Sequence, residues 1–389
     1  MNRTSSVNRP TPPLAVYVHI PWCIRKCPYC DFNSHAASPD NLPELEFLQR
    51  INEDIRQDSA LAQGRSIETL FFGGGTPSLL SASAIEEIIM TLDNQIGLAS
   101  NAEITLEANP GTVEAQKFKG FRSAGVNRLS IGIQSFNDKH LHTLGRIHNA
   151  GEARQAFTTA RAAGFDNINL DLMHGLPQQS LSNAMSDLHS ALSLAPEHLS
   201  WYQLTIEANT EFYNSPPPIP EDDALWEIQQ AGQEKLAQAG FNQYEVSAYA
   251  QADKECRHNL NYWQYGDYIG IGPGAHGKYT RFSDHTDIIR TRKTRLPKDY
   301  LNKNKPLVRL EESVEQSDRP FDYFMNNLRL RKPTSLSHFE AFTGVPLSHI
   351  EPKLSELQNK GLLKRNKDLI ATTEAGYLYL NDVLACWLE

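Results

Sequence analysis

Six times in the first two-thirds of the chain a short β-rich run is followed by a longer amphipathic stretch. This alternation limits the fold more than any other feature. The runs are AVYVHI (15–20), IETLFF (67–72), AEITLEA (102–108), NRLSIGI (127–133), NINLDLM (167–173) and HLSWYQL (198–204). Between them the apolar spacing predicts helices over 43–63, 81–94, 112–124, 150–163 and 181–194. Glycine marks several helix ends, as in AG before VNRLS and AAGF before DNINL, where the departing chain needs positive φ. Strands joined by helical crossovers run parallel, and a parallel sheet is expected to be buried on both faces. Glu107, Gln134 and Asp171 place polar groups at the ends of three runs. Functional groups of a (β/α) barrel gather at the carboxyl ends of its strands. The fold class is therefore read as α/β: an incomplete (β/α)6 TIM-like barrel with a smaller C-terminal α+β, partly winged-helix-like domain.

Four regions are expected: a flexible leader (1–13), the partial barrel (14–215), an extension (216–310) and a winged-helix-like region (311–389). The proline run SPPPIP (215–220) continues neither helix nor strand and marks the first boundary. Beyond it come a helix over 221–239, a strand near 242–248, the glycine-rich loop GDYIGIGPGAHG (266–277) and a basic segment (288–309). The last forty or so residues read as helix, short hairpin and helix, without internal repeats.

The net charge of −9, from 37 basic and 46 acidic residues, disfavours a nucleic-acid partner. No run approaches the roughly 20 apolar residues that span a bilayer, and MNRTSSVNRPTPP lacks the apolar centre of a secretion signal. A cytoplasmic protein is expected. The 288–309 segment, with Arg290, Arg292, Lys293, Arg295, Lys298, Lys303, Lys305 and Arg309, would provide peripheral contact at the inner face of a membrane or with a partner protein. A solvated basic loop is the plainer reading of it.

Three of the five cysteines fall within CIRKCPYC, directly after the first strand, while Cys256 and Cys386 stand apart. That clustering suits a metal site in a reducing compartment better than a disulfide framework. Cys23, Cys27 and Cys30, spaced C-x3-C-x2-C, can hold three corners of a [4Fe–4S] cube and leave the fourth iron open. A zinc site needs a fourth ligand, for which His35 is the nearby candidate.

The segments Tyr17-Val18-His19-Ile20-Pro21-Trp22-Cys23 and CPYCDF resemble the radical SAM superfamily, in the branch of oxygen-independent coproporphyrinogen III oxidases. The similarity extends over essentially the whole chain. It implies a cluster on Cys23, Cys27 and Cys30 whose open iron chelates S-adenosylmethionine (SAM). It also implies a SAM pocket made by Tyr17, Tyr29, Gly74, Gly75 and Thr76 of FFGGGTPSLL, with Glu107, Gln134, Arg146 and Asp171 from the following units. Thr205 is carried over with them. By residue type alone, each of the polar groups is also an ordinary hydrogen-bonding group at a strand end, and Gly73–Gly75 an ordinary tight turn.

Two features separate the oxidases from a sister family within that branch. Where the oxidases carry a fourth cysteine, two residues after the third, this chain has Phe32. Residues 258–263, HNLNYW, are similar to the HNxxYW motif of the HemW haem chaperones. The resemblance implies haem contacts by His258, Asn259, Tyr262 and Trp263, with His258 a possible imidazole ligand and Cys256 a second conceivable one. A buried packing role is the plain alternative for all of them. The function expected is that of a haem chaperone delivering haem to haem-dependent respiratory membrane proteins, with a [4Fe–4S] cluster and SAM retained. Its electron donor is not evident from the residues, and whether it acts as an enzyme is left open. The alternatives are coproporphyrinogen III oxidation and, less in keeping with the acidic chain, RNA modification by a radical SAM enzyme.

Overall fold

The computed structural model describes residues 11–111, 116–282 and 285–388. Most of the expected leader and the start of the helix expected at 112–124 lie outside the described residues. Strands β1 (Leu14–Ile20), β2 (Ile67–Gly74), β3 (Leu98–Ala108), β4 (Arg128–Gln134), β5 (Ile168–His174) and β6 (His198–Gln203) lie side by side in chain order, all parallel. The crossovers contain α1 (Glu44–Asp58), α2 (Ala82–Gln95), α3 (Phe118–Ser123), α4 (Ala150–Ala162) and α5 (Leu181–Ser193). This is the six-unit partial barrel. Its helices begin where the sequence supplies caps: Asn149 with Glu152 and Ser180 with Asn183 close reciprocal capping boxes on α4 and α5.

Both faces of the sheet are covered, but they differ chemically. Ile104, Leu106, Leu129, Ile131, Leu170, Leu172 and Leu199 face the helices and pack with Ile85, Ile88, Phe118, Ala156 and Leu188 in the main core. The alternate residues, among them Thr69, Glu103, Glu107, Arg128, Ser130, Asn169, Asp171, His198 and Ser200, turn to the concave side. A polar inner face is costly unless its groups find partners or a ligand.

The sheet continues beyond both ends of the barrel. The strand expected near 242–248 is a hairpin, β7 (Asn242–Glu245) and β8 (Ala248–Ala250), which pairs antiparallel with β6. On the other side the expected glycine-rich loop contains β9 (Asp267–Ile271), which adds to β1 in parallel, followed by antiparallel β10 (His276–Phe282), β11 (Thr286–Lys293) and β12 (Val308–Ser313). Glycines at 266, 270 and 272 lower the strand signal of β9, yet Ile269 and Ile271 are as deeply buried as the core of β1.

The elements after the proline run return to the same core: Ile228 and Leu236 of α6 (Asp222–Gln238), then Tyr249, Ile269, Ile271, Tyr300 and Leu307. A second core gathers α8 (Arg319–Asn327), α9 (Leu336–Thr343), α10 (Leu347–Asn359) and a small sheet containing the hairpin Leu363–Asn366/Leu369–Thr372. Between the cores lies α7 (Arg257–Trp263), which carries the HNLNYW motif.

The basic segment is only partly a loop, because its two ends lie in β11 and β12. Lys293 is fully buried between Asp54 and Asp58 of α1, 2.6 Å from the latter, and Arg290 pairs with Asp322 of α8 at 2.5 Å. These two cations hold the fold together and are not available to lipid. Among the described residues no helix is long and apolar enough to cross a membrane.

Candidate functional site

The carboxyl ends of β1 to β6 meet the cysteine loop. Trp22–Cys23 pairs with His35–Ala36 as a two-residue ribbon, which closes the loop carrying Cys27 and Cys30. Inside it Cys30 N donates to Cys27 O at 3.1 Å. All three thiols are free and half-buried. Burial pushes the Cys23 and Cys30 thiols up, against hydroxyl hydrogen bonds from Thr76 and Ser34, and the neighbouring thiols raise them further. The Arg146 guanidinium donates to Cys27 Sγ at 3.7 Å.

The resemblance to the radical SAM superfamily implies a [4Fe–4S] cluster, and the donor set fits one. Three unpaired sulfurs share a neighbourhood in which their charges oppose one another, and each has a hydrogen-bond donor or hydroxyl beside it. Among the described residues no three His, Cys, Asp or Glu side chains are grouped so as to hold a single metal ion. His35, the candidate fourth zinc ligand, is bonded to Asn33 Oδ1 at 3.2 Å instead.

The residues expected around SAM fall largely into one place. Gly74 ends β2 with φ +114°, and a Cβ there would lie 2.5 Å from the His19 ring. Its N–H donates to Glu107 Oε2 at 3.1 Å. Gly75 bonds back to Ile20 O at 2.7 Å and passes so close to Trp22 that a Cβ would meet the Trp22 carbonyl oxygen at 2.5 Å. Burial, reinforced by Asp171, pushes the Glu107 carboxyl up to about 8. Asp171 lies deeper, accepting from Ser130 Oγ at 3.0 Å and Asn169 Nδ2 at 2.8 Å, and burial raises it too. Gln134 adopts φ +70°, rare for a residue with a side chain, and its Oε1 accepts from Tyr202 OH at 2.8 Å. Arg146 reaches Asn109 Oδ1 at 2.6 Å and Gly132 O at 2.7 Å. Burial works against its charge, but Tyr29 and Cys27 beside it hold the guanidinium more firmly protonated than usual. Tyr17 extends its ring over Phe71, and Tyr29 packs on Phe212. Thr205 is exposed, just past β6.

His19, Asn109 and Tyr202 belong to this site, though motif reasoning gave them no role. His19 takes Tyr17 OH at 3.1 Å and Asn33 O at 3.0 Å. Asn109 bridges Thr76 and Arg146. The first two were within reach, because Tyr17 and His19 are two apart on one strand and share a face, and Asn109 sits in TLEANP.

The HNLNYW helix lies across the concave side. His258 is 1% exposed; its ring nitrogens bond Thr69 Oγ1 at 2.9 Å and Tyr262 OH at 3.1 Å, and the ring stacks on Phe71 at 4.9 Å. Burial, with Arg128 nearby, pushes it down to about 3. This is the geometry of a packing histidine. Cys256 is as deeply buried and directs its sulfur at Glu103 Oε1, 3.7 Å away. Asn259 and Tyr262 line the same inner cavity of about 220 Å³ as Tyr17, Glu107 and Asp171. Trp263 turns the other way, under the Arg329 guanidinium at 4.3 Å, and is not brought together with them.

Tyr17, Glu107 and Tyr262 also open onto an outer cleft of about 820 Å³, bounded by the cysteine loop on one side and β10 to β12 on the other. The thiol loop, the strand ends at Gly74 and Glu107, and Tyr262 of the motif helix thus border the same cleft.

Residues 17–190 match the model of the radical SAM superfamily and residues 314–379 that of the HemN C-terminal domain. The chain is 50% identical to "Heme chaperone HemW" of Escherichia coli (strain K12), over 97% of this chain and 98% of that protein. The chain belongs to the HemW family. HemW of Haemophilus influenzae is 48% identical, with 97% of this chain and 98% of that protein covered. HemW of Bacillus subtilis is 34% identical, with 96% and 99% covered. Among solved structures, coproporphyrinogen III oxidase (HemN) of Escherichia coli, described as a radical SAM enzyme, superposes with a TM-score of 0.80 over 98% of this chain and 91% of that one. At 22% identity that likeness establishes the HemW member's fold and no more.

Proposed function

We propose that this HemW family member binds haem and hands it to haem-dependent membrane proteins, with a [4Fe–4S] cluster and SAM held in the barrel mouth. The observation that carries the reading is the near full-length relationship to proteins named haem chaperones. The large cleft joining the thiol loop to an open mouth supports it.

Cys23, Cys27 and Cys30 would hold the cluster, whose open iron supplies SAM chelation and one-electron transfer when bound. The protein's own groups divide the remaining work. Arg146 and the hydroxyls of Thr76 and Ser34 favour charge on the sulfurs. Gly74 and Gly75 leave backbone open to close approach by a ligand. Glu107, largely protonated at neutral pH, would yield its proton to become the partner of an ammonium group. Asp171, Gln134 and Tyr17 complete a polar wall.

The rival reading, decarboxylation of coproporphyrinogen III, has the fold likeness in its favour and Phe32 against it. Anaerobic incubation with SAM, haem and coproporphyrinogen III, followed by chromatography, tests both. The expected result is stoichiometric haem uptake with coproporphyrinogen III unchanged; vinyl-bearing porphyrin product would reverse the choice. Cys23→Ala, Cys27→Ala and Cys30→Ala should each abolish the absorbance near roughly 400 nm of the reconstituted cluster. A full cluster in all three variants would refute the ligand assignment.

A further inference from the structure

The outer cleft contains a histidine that no motif singled out. His276 starts β10, is exposed, and its ring makes no hydrogen bond among the described residues. In the sheet register it stands directly opposite Arg292 of β11, which in turn pairs with Leu310 of β12. Adjacent strands lie about 4.8 Å apart, so the three side chains form a row on one wall of the cleft. Arg295 and Arg309 line the same wall, and neither has an ion pair among the described residues. Arg292 reaches Glu312 only at 3.6 Å, with both side chains about half-exposed, a pair weak enough for a better acceptor to displace. Facing this wall is Phe32, 59% exposed, with Tyr268 at the base.

We propose that haem lies in this outer cleft with His276 as its axial ligand and Arg292, Arg295 and Arg309 as partners of its propionates. The assignment rests on the haem-binding reading above and gives it a location. The chemistry of the wall matches the cargo. A neutral imidazole suits iron, planar guanidinium groups pair with carboxylates, and aromatic rings suit a flat apolar macrocycle. Its volume lies within the range of about 300–1,000 Å³ usual for cofactor sites. His258 is the less suitable ligand, because both of its nitrogens are engaged and its ring is shut inside the barrel. In this arrangement the HNLNYW helix contributes Tyr262 to the cleft and supports the site from below.

The test titrates anaerobically purified full-length protein with hemin, iron-free protoporphyrin IX and hemin dimethyl ester, read by difference absorption. H276A should shift the Soret band and weaken hemin about tenfold or more, while moving protoporphyrin IX by less than about twofold. The triple variant R292Q/R295Q/R309Q should weaken hemin and protoporphyrin IX by about tenfold and leave the dimethyl ester unchanged. All four substituted residues are exposed, and an unaltered unfolding midpoint confirms that the variants fold. An unmoved Soret band in H276A, together with a shifted one in H258A, would overturn the assignment, as would full affinity in the triple variant. Failure of the wild-type protein to take up hemin would instead sink the haem-carrier reading itself.

Discussion

Glu107 should make the protein less stable than it could be, by an amount that depends on pH. Its carboxyl releases a proton near 4.5 when unfolded and at about 8 when folded, because burial and Asp171 disfavour the charge. Below pH 4.5 both states are protonated and nothing is lost. As pH rises from 4.5 towards 8 the unfolded chain ionises first, so the folded state loses ground continuously. At about 1.36 kcal/mol per pH unit, the loss at pH 7 has an upper bound of ~3 kcal/mol. Glu107 borders an open cleft, and water there reduces this to ~1–2 kcal/mol. Glu107→Gln keeps an acceptor for the Gly74 N–H and removes the ionisable group. In SAM-free protein it should raise the thermal midpoint by roughly 2–4 °C at pH 8 and leave it unchanged at pH 5. The same variant should weaken SAM about tenfold, since an ammonium loses its charged partner. Scanning calorimetry at both pH values, paired with equilibrium SAM binding, decides the matter. An equal midpoint gap at pH 5 and pH 8, or a lower midpoint for the variant at pH 8, would refute the reasoning.

Gly75→Ala drives a Cβ into the Trp22 backbone, so the ends of β1 and β2 must part just before Cys23. It should cost ~1–3 kcal/mol in denaturant unfolding and yield substoichiometric cluster on reconstitution. Lys293→Met strands Asp54 and Asp58 without their shared cation. Urea unfolding should show ~3–5 kcal/mol lost, partly recovered by adding Asp54→Asn.

The barrel was legible because each strand is a short β-rich run and several of the intervening helices stop at glycine, and the structure begins or ends each strand within a few residues of the expected position. β9 was hidden by its own glycines, and the split of 242–248 by a tight turn that leaves no clear mark in the composition. The two-sided burial of the sheet was legible, its chemistry less so. NINLDLM reads as an apolar run, yet Asn169 and Asp171 alternate with Leu170 and Leu172, and that alternation is the sign of a polar interior. The residues proposed for the cluster and SAM could be singled out from motifs because each motif is local in sequence. The pairing of His276 with Arg292 depends on strand register, which no local pattern contains. The burial of His258 depends on Thr69 and Phe71, nearly two hundred residues away.

The helix between the two cores has a consequence for any attempt to shorten the chain. α7 donates its first backbone N–H groups to Glu103 inside the barrel, while Trp263 at its other end rests under Arg329 and Asp322 anchors Arg290 and Tyr265. Cutting after residue 190, where the superfamily match stops, would strip Ile228, Ile269 and Tyr300 from the main core and open the floor of the cavity to water. Barrel mouth and C-terminal tail therefore stand or fall as one cooperative body, and a fragment containing only the thiol loop and the first five strands would be an unsound stand-in for the whole.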